Sequence, residues 1–397
     1  MIKHKFPAKW TVRRLDQLGS VSRGRSRHRP RNEPSLYGGV YPFFQTGDIK
    51  AANLYLFDYA QTYNEKGLSQ SKIWEPGTLC ITIAANIADT AILTIRACFP
   101  DSVIGFIADP KKADVHFIKY YIDWIKLDMQ QVSHGTTQDN LSLDKILRFD
   151  FVVPDVREQR KIAAILSAYD DLIENNLRRI KILEEMAQNL YREWFVKFRF
   201  PGHEQARFVE SLLGRIPEGW EVKRLGEILG LKYGKALKQE NRREGNVPVY
   251  GSSGVVGYHD VHLVNGPGIV IGRKGNVGSV YWSEKSFYPI DTAYFVSSEM
   301  PLRFLFYDLQ TKNFLNNDAA VPGLNRNQAY SLETVIPPED ILLQFCCFAD
   351  DFEQQAAVLR VQNTTLRRTR DMLLPRLISG EVDVSELDIT ISEEAAA

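Results

Sequence analysis

Five arginines alternate through Ser22–Asn32 (SRGRSRHRPRN): Arg23, Arg25, Arg27, Arg29 and Arg31. An extended strand turns every second residue to the same side, so this period predicts a face of five guanidiniums. Like charges this dense repel one another unless something anionic lies against them, and nucleic acid fits that description. Phosphates supply most of such an affinity, and arginine forks also match the guanine edge. The competing reading is a solvated loop with no partner. A second segment offers Lys232, Tyr233, Gly234, Lys235 and Lys238, then the loop Gly272–Gly278 (GRKGNVG) with Arg273, Lys274 and Asn276. Glycine-rich basic turns let a backbone approach a phosphate closely; an ordinary hairpin turn reads the same way. Gln45, Thr46 and Asp48 in QTGDIK, and Tyr250, Ser252 and Ser253 in YGSSG, follow strand-like runs. They suit hydrogen bonds to base edges as well as plain turns. Arg326, in VPGLNRN, completes the candidate DNA-binding set.

Signatures of catalysis are sparse. The chain has no Asn-Pro-Pro-aromatic or Asp-Pro-Pro-aromatic motif of an amino-methyltransferase, no GxGxxG, no HExxH and no GK[ST] at Walker spacing. Pro100-Asp101 followed by Asp109-Pro110-Lys111 imitates a nuclease metal site, which needs two carboxylates and a lysine on one divalent ion. Here Asp101 and Asp109 flank an apolar run, and the second half of the chain repeats no such triad. No catalytic residue and no metal are therefore expected. Cys80, Cys98, Cys346 and Cys347 lack CxxC spacing and clustered histidines, which fits thiols in a reducing cytoplasm rather than a zinc site.

These groups must be carried by something rigid. Arg157–Phe198 contains no Gly and no Pro. A 3-4 spacing runs through Leu166, Tyr169, Ile173, Asn176, Ile180, Leu183, Ala187, Leu190 and Trp194, a coiled-coil seam of about four heptads. Pro154-Asp155 is a helix start and Phe200-Pro201-Gly202 a stop. A second seam reads Leu342, Phe345, Ala349, Phe352, Ala356, Leu359, Asn363, Leu366, Arg370, Leu373, Leu377, between Pro337-Pro338 and Gly380. Paired antiparallel about their midpoints, the two seams set Asn176 opposite Asn363, Ala187 opposite Phe352 and Tyr169 near Arg370. A polar layer of this kind fixes register at some cost in stability. The alternative is two unrelated amphipathic helices, each packed on its own domain.

The remainder is one plan written twice. PAKWTVRRLDQLG from Pro7 is echoed by PEGWEVKRLGEILG from Pro217. Each opening leads through a basic, glycine-containing stretch to short β-type runs: GTLCITIAANIADTAILTI from Gly77 and GPGIVIGRKGNVGSVYW from Gly266. Apolar strands follow at Val103 and Thr292, and short helices are expected at about Phe117–Met129 and Pro301–Thr311. Polar loops from Gly135 and Ala320 lead to FVVP at Phe151 and TVIPP at Thr334, and each copy then runs into its long helix. The expected fold is α+β, with two β-rich mixed α/β domains separated by two long helices forming an antiparallel coiled coil with pseudo-two-fold symmetry. The expected boundaries are 1–155, 156–200 (central helix), 201–338 and 339–397 (C-terminal helix and tail). Trp10 and Trp220, which open the two domains, are expected to anchor their cores.

Charge and hydropathy fit this plan. With 49 basic and 49 acidic residues the formal net charge is zero, so the whole chain is no polycation. Residues 1–50 nonetheless hold eleven Lys and Arg against three Asp and Glu, while the tail SEEAAA is acidic. No run approaches the 18 or so apolar residues of a membrane span, and MIKHKFPAKW lacks the apolar core of a signal peptide. A cytoplasmic protein with no membrane partner is expected.

The repeated P-x-x-W-x-V-x-R-L openings at Pro7 and Pro217, PDVREQRKIAAIL from Pro154, NLYREWFVKFRFPGHE from Asn189, VPGLNRN from Val321 and LLPRLISGEV from Leu373 together resemble the specificity (S) subunits of type I restriction–modification systems. The resemblance covers essentially the whole chain, in the family's order. It implies two target-recognition domains, each reading half of a bipartite double-stranded DNA site, with no chemistry of their own. It also implies paired helices that dock methyltransferase (M) subunits, and restriction (R) subunits that join them. S-adenosylmethionine, ATP and Mg are then expected on those partners and no cofactor in this chain. Exposed helix faces and the flanking Trp194-Phe195 are expected to hold the partners. From Leu166 to Trp194 a helix rises roughly 40 Å, near the ~34–36 Å between half-sites one DNA turn apart, so the helix pair would act as a ruler. Two rivals remain: a self-contained nuclease or methyltransferase, against which the missing motifs argue, and a coiled-coil adaptor that binds only proteins, against which the arginine stretch argues.

Overall fold

The computed structural model describes residues 6–84, 86–134, 141–314 and 323–389. The polar loop expected from Gly135 lies largely outside these residues, as do the first three residues of the loop expected from Ala320, the acidic tail and MIKHK. The chain divides into two compact units, Met1–Leu177 with Arg360–Ala397, and Arg178–Leu359.

In the first unit the strands are β1 (Thr11–Arg13), β2 (Gly19–Arg23), β3 (Tyr37–Phe43), β4 (Tyr55–Leu56), β5 (Gln61–Tyr63), β6 (Ile73–Trp74), β7 (Leu79–Thr82), β8 (Thr90–Leu93), β9 (Ala97–Cys98), β10 (Val103–Ala108) and β11 (Phe151–Val153). They form a five-stranded sheet, β2-β10-β7-β8-β4, a four-stranded sheet, β5-β3-β9-β6, and the two-stranded ladder β1-β11. Leu79–Thr82 and Thr90–Leu93 are buried throughout, which is why both read as unbroken apolar runs. The expected helix near Phe117 is two helices, Val115–Trp124 and Lys126–His134; the Asp114 side chain accepts from Phe117 N and caps the first.

The second unit holds β12 (Phe208–Ser211), β13 (Gly214–Pro217), β14 (Glu221–Arg224), β15 (Gly230–Tyr233), β16 (Val247–Gly251), β17 (Gly254–His259), β18 (Gly268–Gly272), β19 (Val280–Ser283), β20 (Tyr288–Pro289), β21 (Ala293–Ser297) and β22 (Glu333–Ile336). Its sheets run β15-β21-β18-β19 and β17-β16-β20, with ladders β14-β22 and β12-β13. The order β15-β21-β18-β19 repeats β2-β10-β7-β8 strand for strand. The parallel pair β16/β20 likewise repeats β3/β9, and β14/β22 repeats β1/β11. The internal repeat read from Pro7 and Pro217 is thus a repeat of topology. Trp10 and Trp220 are buried and open the two cores, as expected.

The central helix spans Val156–Tyr191 and the C-terminal helix Glu339–Ile378. Asp155 caps the first through its Oδ1, which accepts from Glu158 N at 2.9 Å. This helix ends before Phe200-Pro201-Gly202, because Arg192–Val196 widen into a π turn and Phe198 takes a left-handed φ of 56°. The widened turn swings Trp194 and Phe195 into the core of the second unit, where both are buried. They pack internally and do not form the partner-docking surface expected of them.

Both helices contribute to both units, and in each unit their stretches run antiparallel. In the first, Leu166, Ile173 and Asn176 are buried, and Asn176 Nδ2 donates to Asn363 Oδ1 at 2.9 Å, as the seam register predicts. Asn363 Nδ2 reaches Ile173 O at 3.4 Å, so the buried amide pair has partners. One detail differs. Arg370 meets Asp170, which is fully buried, and not the half-buried Tyr169. Reading the seam by apolar type favoured the tyrosine, but a carboxylate can sit there because Arg370 and the Tyr120 hydroxyl, donating at 2.5 Å, compensate it. In the second unit Ile180 packs with Ala356 and Leu359, while Ala187 shares a core with Phe345, Ala349 and the partly buried Phe352. All four cysteines are free, and burial pushes the Cys80 and Cys98 thiols up. Among the described residues no helix is long and apolar enough to cross a membrane.

Candidate nucleic-acid interface

The arginine stretch does not form one extended face. Only Arg23 belongs to a strand, β2, paired through Ile104. Beyond it the backbone turns along neighbouring segments, with Arg25 N donating to Phe99 O and Arg27 N to Gln70 O. Arg25 is half-buried, whereas Arg23 and Arg27 are exposed and, among the described residues, no ion pair holds them. Arg29 Nη1 donates to Ser26 O at 2.6 Å and His28 O at 2.8 Å, and its Nη2 to Asp101 Oδ2 at 3.3 Å. Arg31 Nη2 donates to Asp101 Oδ1 at 2.5 Å. The anion that this dense charge requires is thus supplied in part by the chain itself. Asp101 bridges two of the five guanidiniums and offsets part of their mutual repulsion.

Asp101 is therefore no nuclease carboxylate. The six-residue β10 separates it from Asp109, roughly 25 Å away at strand rise, and Asp109 is held below the usual carboxylate range by its hydrogen bond to Lys112. Among the described residues no group of three or more His, Cys, Asp or Glu side chains is placed to hold a metal.

Arg31 opens onto a cavity of about 370 Å³ that also receives Gln45 and Thr46. Asp48 is used locally: its Oδ2 accepts from Gln45 N at 2.6 Å and starts the helix Thr46–Ala51. Three further polar residues, Asn32, Gln61 and Ser102, line the same cavity and were not singled out in the sequence. Gln61 arrives by strand pairing, since β3 and β5 put it opposite Phe43. Gln45 Nε2 then donates to Gln61 Oε1 at 2.6 Å. No local motif announces a residue that long-range pairing delivers.

In the second unit GRKGNVG is the turn of the β18–β19 hairpin. It is also a tight cradle. A Cβ at Gly272 would lie 2.0 Å from Asn276 O, and Gly275 takes a left-handed φ of 84°. Ser252 and Ser253, the turn between β16 and β17, pack on it: Ser279 Oγ donates to Ser252 O at 2.7 Å and Asn276 Nδ2 to Ser253 Oγ at 3.2 Å. Arg273 is pinned by Nε and Nη2 on Asp291 O, with its Cζ 5.2 Å from the centre of the Tyr233 ring. Arg326, exposed at the start of a short helix, lies 5.5 Å from the same ring. Tyr233 is half exposed. A hydrogen bond with Tyr294, then the Arg326 and Arg273 charges, hold its phenol below the usual range, while burial pushes Tyr294 up to about 12. Lys232, Lys235 and Lys274 are exposed around this group. Tyr250 is not part of it. That side chain is buried and its hydroxyl donates to Trp282 O, which makes it a core residue.

Both units thus bring together the same three connections: the exit of the first sheet strand (β2, β15), the exit of β3 or β16, and the loop of the β7–β8 or β18–β19 hairpin. In the first unit these supply Arg31, Gln45 and Ala84; in the second, Tyr233, Ser253 and Arg273 with Asn276.

A family model, the type I restriction modification DNA specificity domain, matches residues 7–185 and 217–341. The chain is similar to the type I restriction enzyme MjaIX specificity subunit of Methanocaldococcus jannaschii, 27% identical over 96% of each chain. It is also similar to the EcoprrI specificity subunit of Escherichia coli, 22% identical over 84% of this chain and 86% of that one. Its fold is similar to the crystal structure of the type I restriction–modification S subunit from M. genitalium, with a TM-score of 0.56 and 18% identity over 95% of this chain and 97% of that one.

Proposed function

The chain belongs to the type I restriction–modification DNA specificity family, as a non-catalytic specificity subunit with two target-recognition domains, and from that premise we propose that each domain reads one half of a bipartite DNA site through its three convergent loops. The observation that carries this reading is the recurrence of those loops on the same strand order in both units. In the first recognition domain, taken as residues 1–155, the readers are Arg31, Gln45 and Thr46, with Arg23 and Arg27 on phosphates. In the second, residues 201–338, they are Ser252, Ser253, Arg273, Asn276 and Arg326, with Lys232, Lys235 and Lys274 on the backbone. Arg25, Arg29 and Asp48 support these groups from within.

The helix stretches 156–200 and 339–397 are the scaffold. Leu172 and Met372 in one unit, and Ile182, Met186 and Phe348 in the other, leave apolar side chains exposed on them. Such faces suit protein partners: M subunits, which would bring S-adenosylmethionine, and then R subunits with ATP and Mg. The complex would work in the cytoplasm, on double-stranded DNA.

The test is to co-purify the chain with a candidate M subunit and map methylation across genomic DNA. Modification at one bipartite motif, lost when this chain is omitted, is the expected result. A stable complex that modifies no sequence-specific site would favour a protein-binding adaptor instead. Inserting one heptad in both long helices should lengthen the unread gap and leave both half-sites unchanged; an unaltered gap would remove the ruler.

A further inference from the structure

In the first unit two preorganised side-chain pairs face one cavity, and we infer that they read adjacent base pairs: Arg31, buttressed by Asp101, takes a guanine, and the Gln45–Gln61 amide pair takes an adenine. The inference rests on the specificity reading above and adds the base chemistry, the role of Asp101 and the reader Gln61.

Geometry separates the arginines. Arg29 is consumed, with Nη1 on two carbonyls and Nη2 on Asp101. Arg31 gives one Nη2 hydrogen to Asp101, and among the described residues no other hydrogen bond engages its guanidinium; the residue lines the cavity with about half of its side chain exposed. The second Nη2 hydrogen stays available, and with the parallel N–H beside it on the edge away from Asp101 it forms a fork that matches the guanine major-groove edge, where O6 and N7 both accept. Asp101 therefore acts as a positioning residue. It removes the rotamer freedom that Arg31 would otherwise lose on binding.

The glutamines present the complementary pattern. Gln45 Nε2 donates to Gln61 Oε1, which leaves Gln45 Oε1 as an acceptor and Gln61 Nε2 as a donor at the same cavity. Adenine offers N6–H as donor and N7 as acceptor, the pairing for which glutamine is suited. The cavity wall behind them is aromatic, Tyr37 and Phe43, so the amides cannot swing back into water on that side. Tyr37 also donates from its hydroxyl to Arg31 O at 2.8 Å and so ties the arginine backbone to that wall.

The experiment is methylation mapping of the complex with its M subunit, comparing wild type with R31A, D101N and Q61A. R31A should relax one G·C position in one half-site and slow modification of the fully matched site about 10- to 100-fold. D101N should relax the same position with a smaller loss, because the carboxamide still accepts but no longer pairs ionically. Q61A should relax an A·T position in the same half-site. The other half-site should remain unchanged in all three, which shows that the complex is folded and assembled. A wild-type bipartite motif that R31A and Q61A leave intact would overturn the inference alone. A wild-type complex with no bipartite motif would overturn the specificity reading, and the inference with it.

Discussion

The two units hold the same strand order against the long helices by different chemistry. In the first, the join is ionic. Asp170 is fully buried on the central helix and takes Arg370 from the C-terminal helix, Tyr120 from the recognition domain at 2.5 Å and Asn53 at 3.4 Å. In the second, the join rests more on aromatic packing, beside a pair in which Arg303 Nε donates to the exposed Asp350 of the C-terminal helix at 2.7 Å. Phe195 meets Phe345 and Phe304 edge to face at 4.9 and 5.1 Å, and Tyr191 packs beside them with its hydroxyl on Asp308 at 2.8 Å. An ionic join fixes an angle, because each donor has one acceptor to reach, but it carries a large desolvation cost. An aromatic join supplies area and tolerates small shifts. One repeat plan thus accommodates either solution, so long as the short helix of the domain (Val115–Trp124 or Leu302–Gln310) finds partners on the scaffold.

Arg370→Met leaves Asp170 buried without its cation and should cost the first unit about 3–5 kcal/mol. Amide hydrogen exchange across residues 115–124 and 166–176 would register the loss. Adding Asp170→Leu should recover most of it, because a well-packed apolar pair avoids the desolvation of both charges. A double variant no better than Arg370→Met would show that the ionic join is not replaceable by packing. In the second unit Phe345→Ala should cost about 3–5 kcal/mol through the cavity it leaves, with protection lost across residues 302–310 and no recovery from any change at Asp170.

Much of this was legible in the sequence, for a physical reason. Both long helices, the facing Asn176 and Asn363, and the repeated openings at Trp10 and Trp220 are encoded by local periodicity and spacing, which a single chain displays directly. The seam reading takes Tyr169 and passes over Asp170, because a buried carboxylate follows no apolar pattern; its burial is explained only by Arg370 and Tyr120, which come from distant elements. Trp194 and Phe195 looked like a docking surface because nothing local foretells the π turn that swings them inward. The arginine alternation was real, but its geometry depended on Asp101, seventy residues away in sequence from Arg31. In the second unit the basic glycine turn and the Ser252-Ser253 turn were both visible, and their contact was not.

Smaller changes sharpen the contrast. Tyr191→Phe removes one of the donors to Asp308, which keeps Thr334 at 2.6 Å and Lys312 at 3.0 Å. The loss should be about 1 kcal/mol, the lower end for a buried hydrogen bond whose acceptor retains partners. Thermal unfolding of the variant beside Phe345→Ala would test it, and an equal loss from both would mean that the polar contact, not the aromatic area, makes the second join. Replacing both Asn176 and Asn363 by Leu should leave stability level or slightly raised, since apolar pairs replace a buried amide pair. The same change should loosen helix register, because a polar layer specifies register at the expense of stability. Disulfide trapping of cysteines placed on facing seam positions would detect the slippage.

The most graded expectation concerns pH in the first unit. His116 lies beneath the ionic join, its Nε2 3.2 Å from the Tyr55 hydroxyl. Burial holds its imidazole below the ordinary value of 6.5, against the opposing pull of Asp114 and Asp171, with Lys119 also lowering it and Asp170 raising it. Between 6.5 and that lower value the unfolded chain binds a proton that the folded chain does not, so stability is highest above 6.5 and falls as pH drops through this window. Asp171 works the other way at lower pH. Burial raises its carboxyl above 3.8, so the folded state takes up its proton first and part of its burial penalty is relieved as pH falls. Denaturant unfolding from about pH 8 down to about pH 5 should therefore show the first unit weakening on acidification, with the slope reduced in His116→Gln. If the slope survives that substitution, the sensitivity lies in another group, and the ionic join is not coupled to the histidine beneath it.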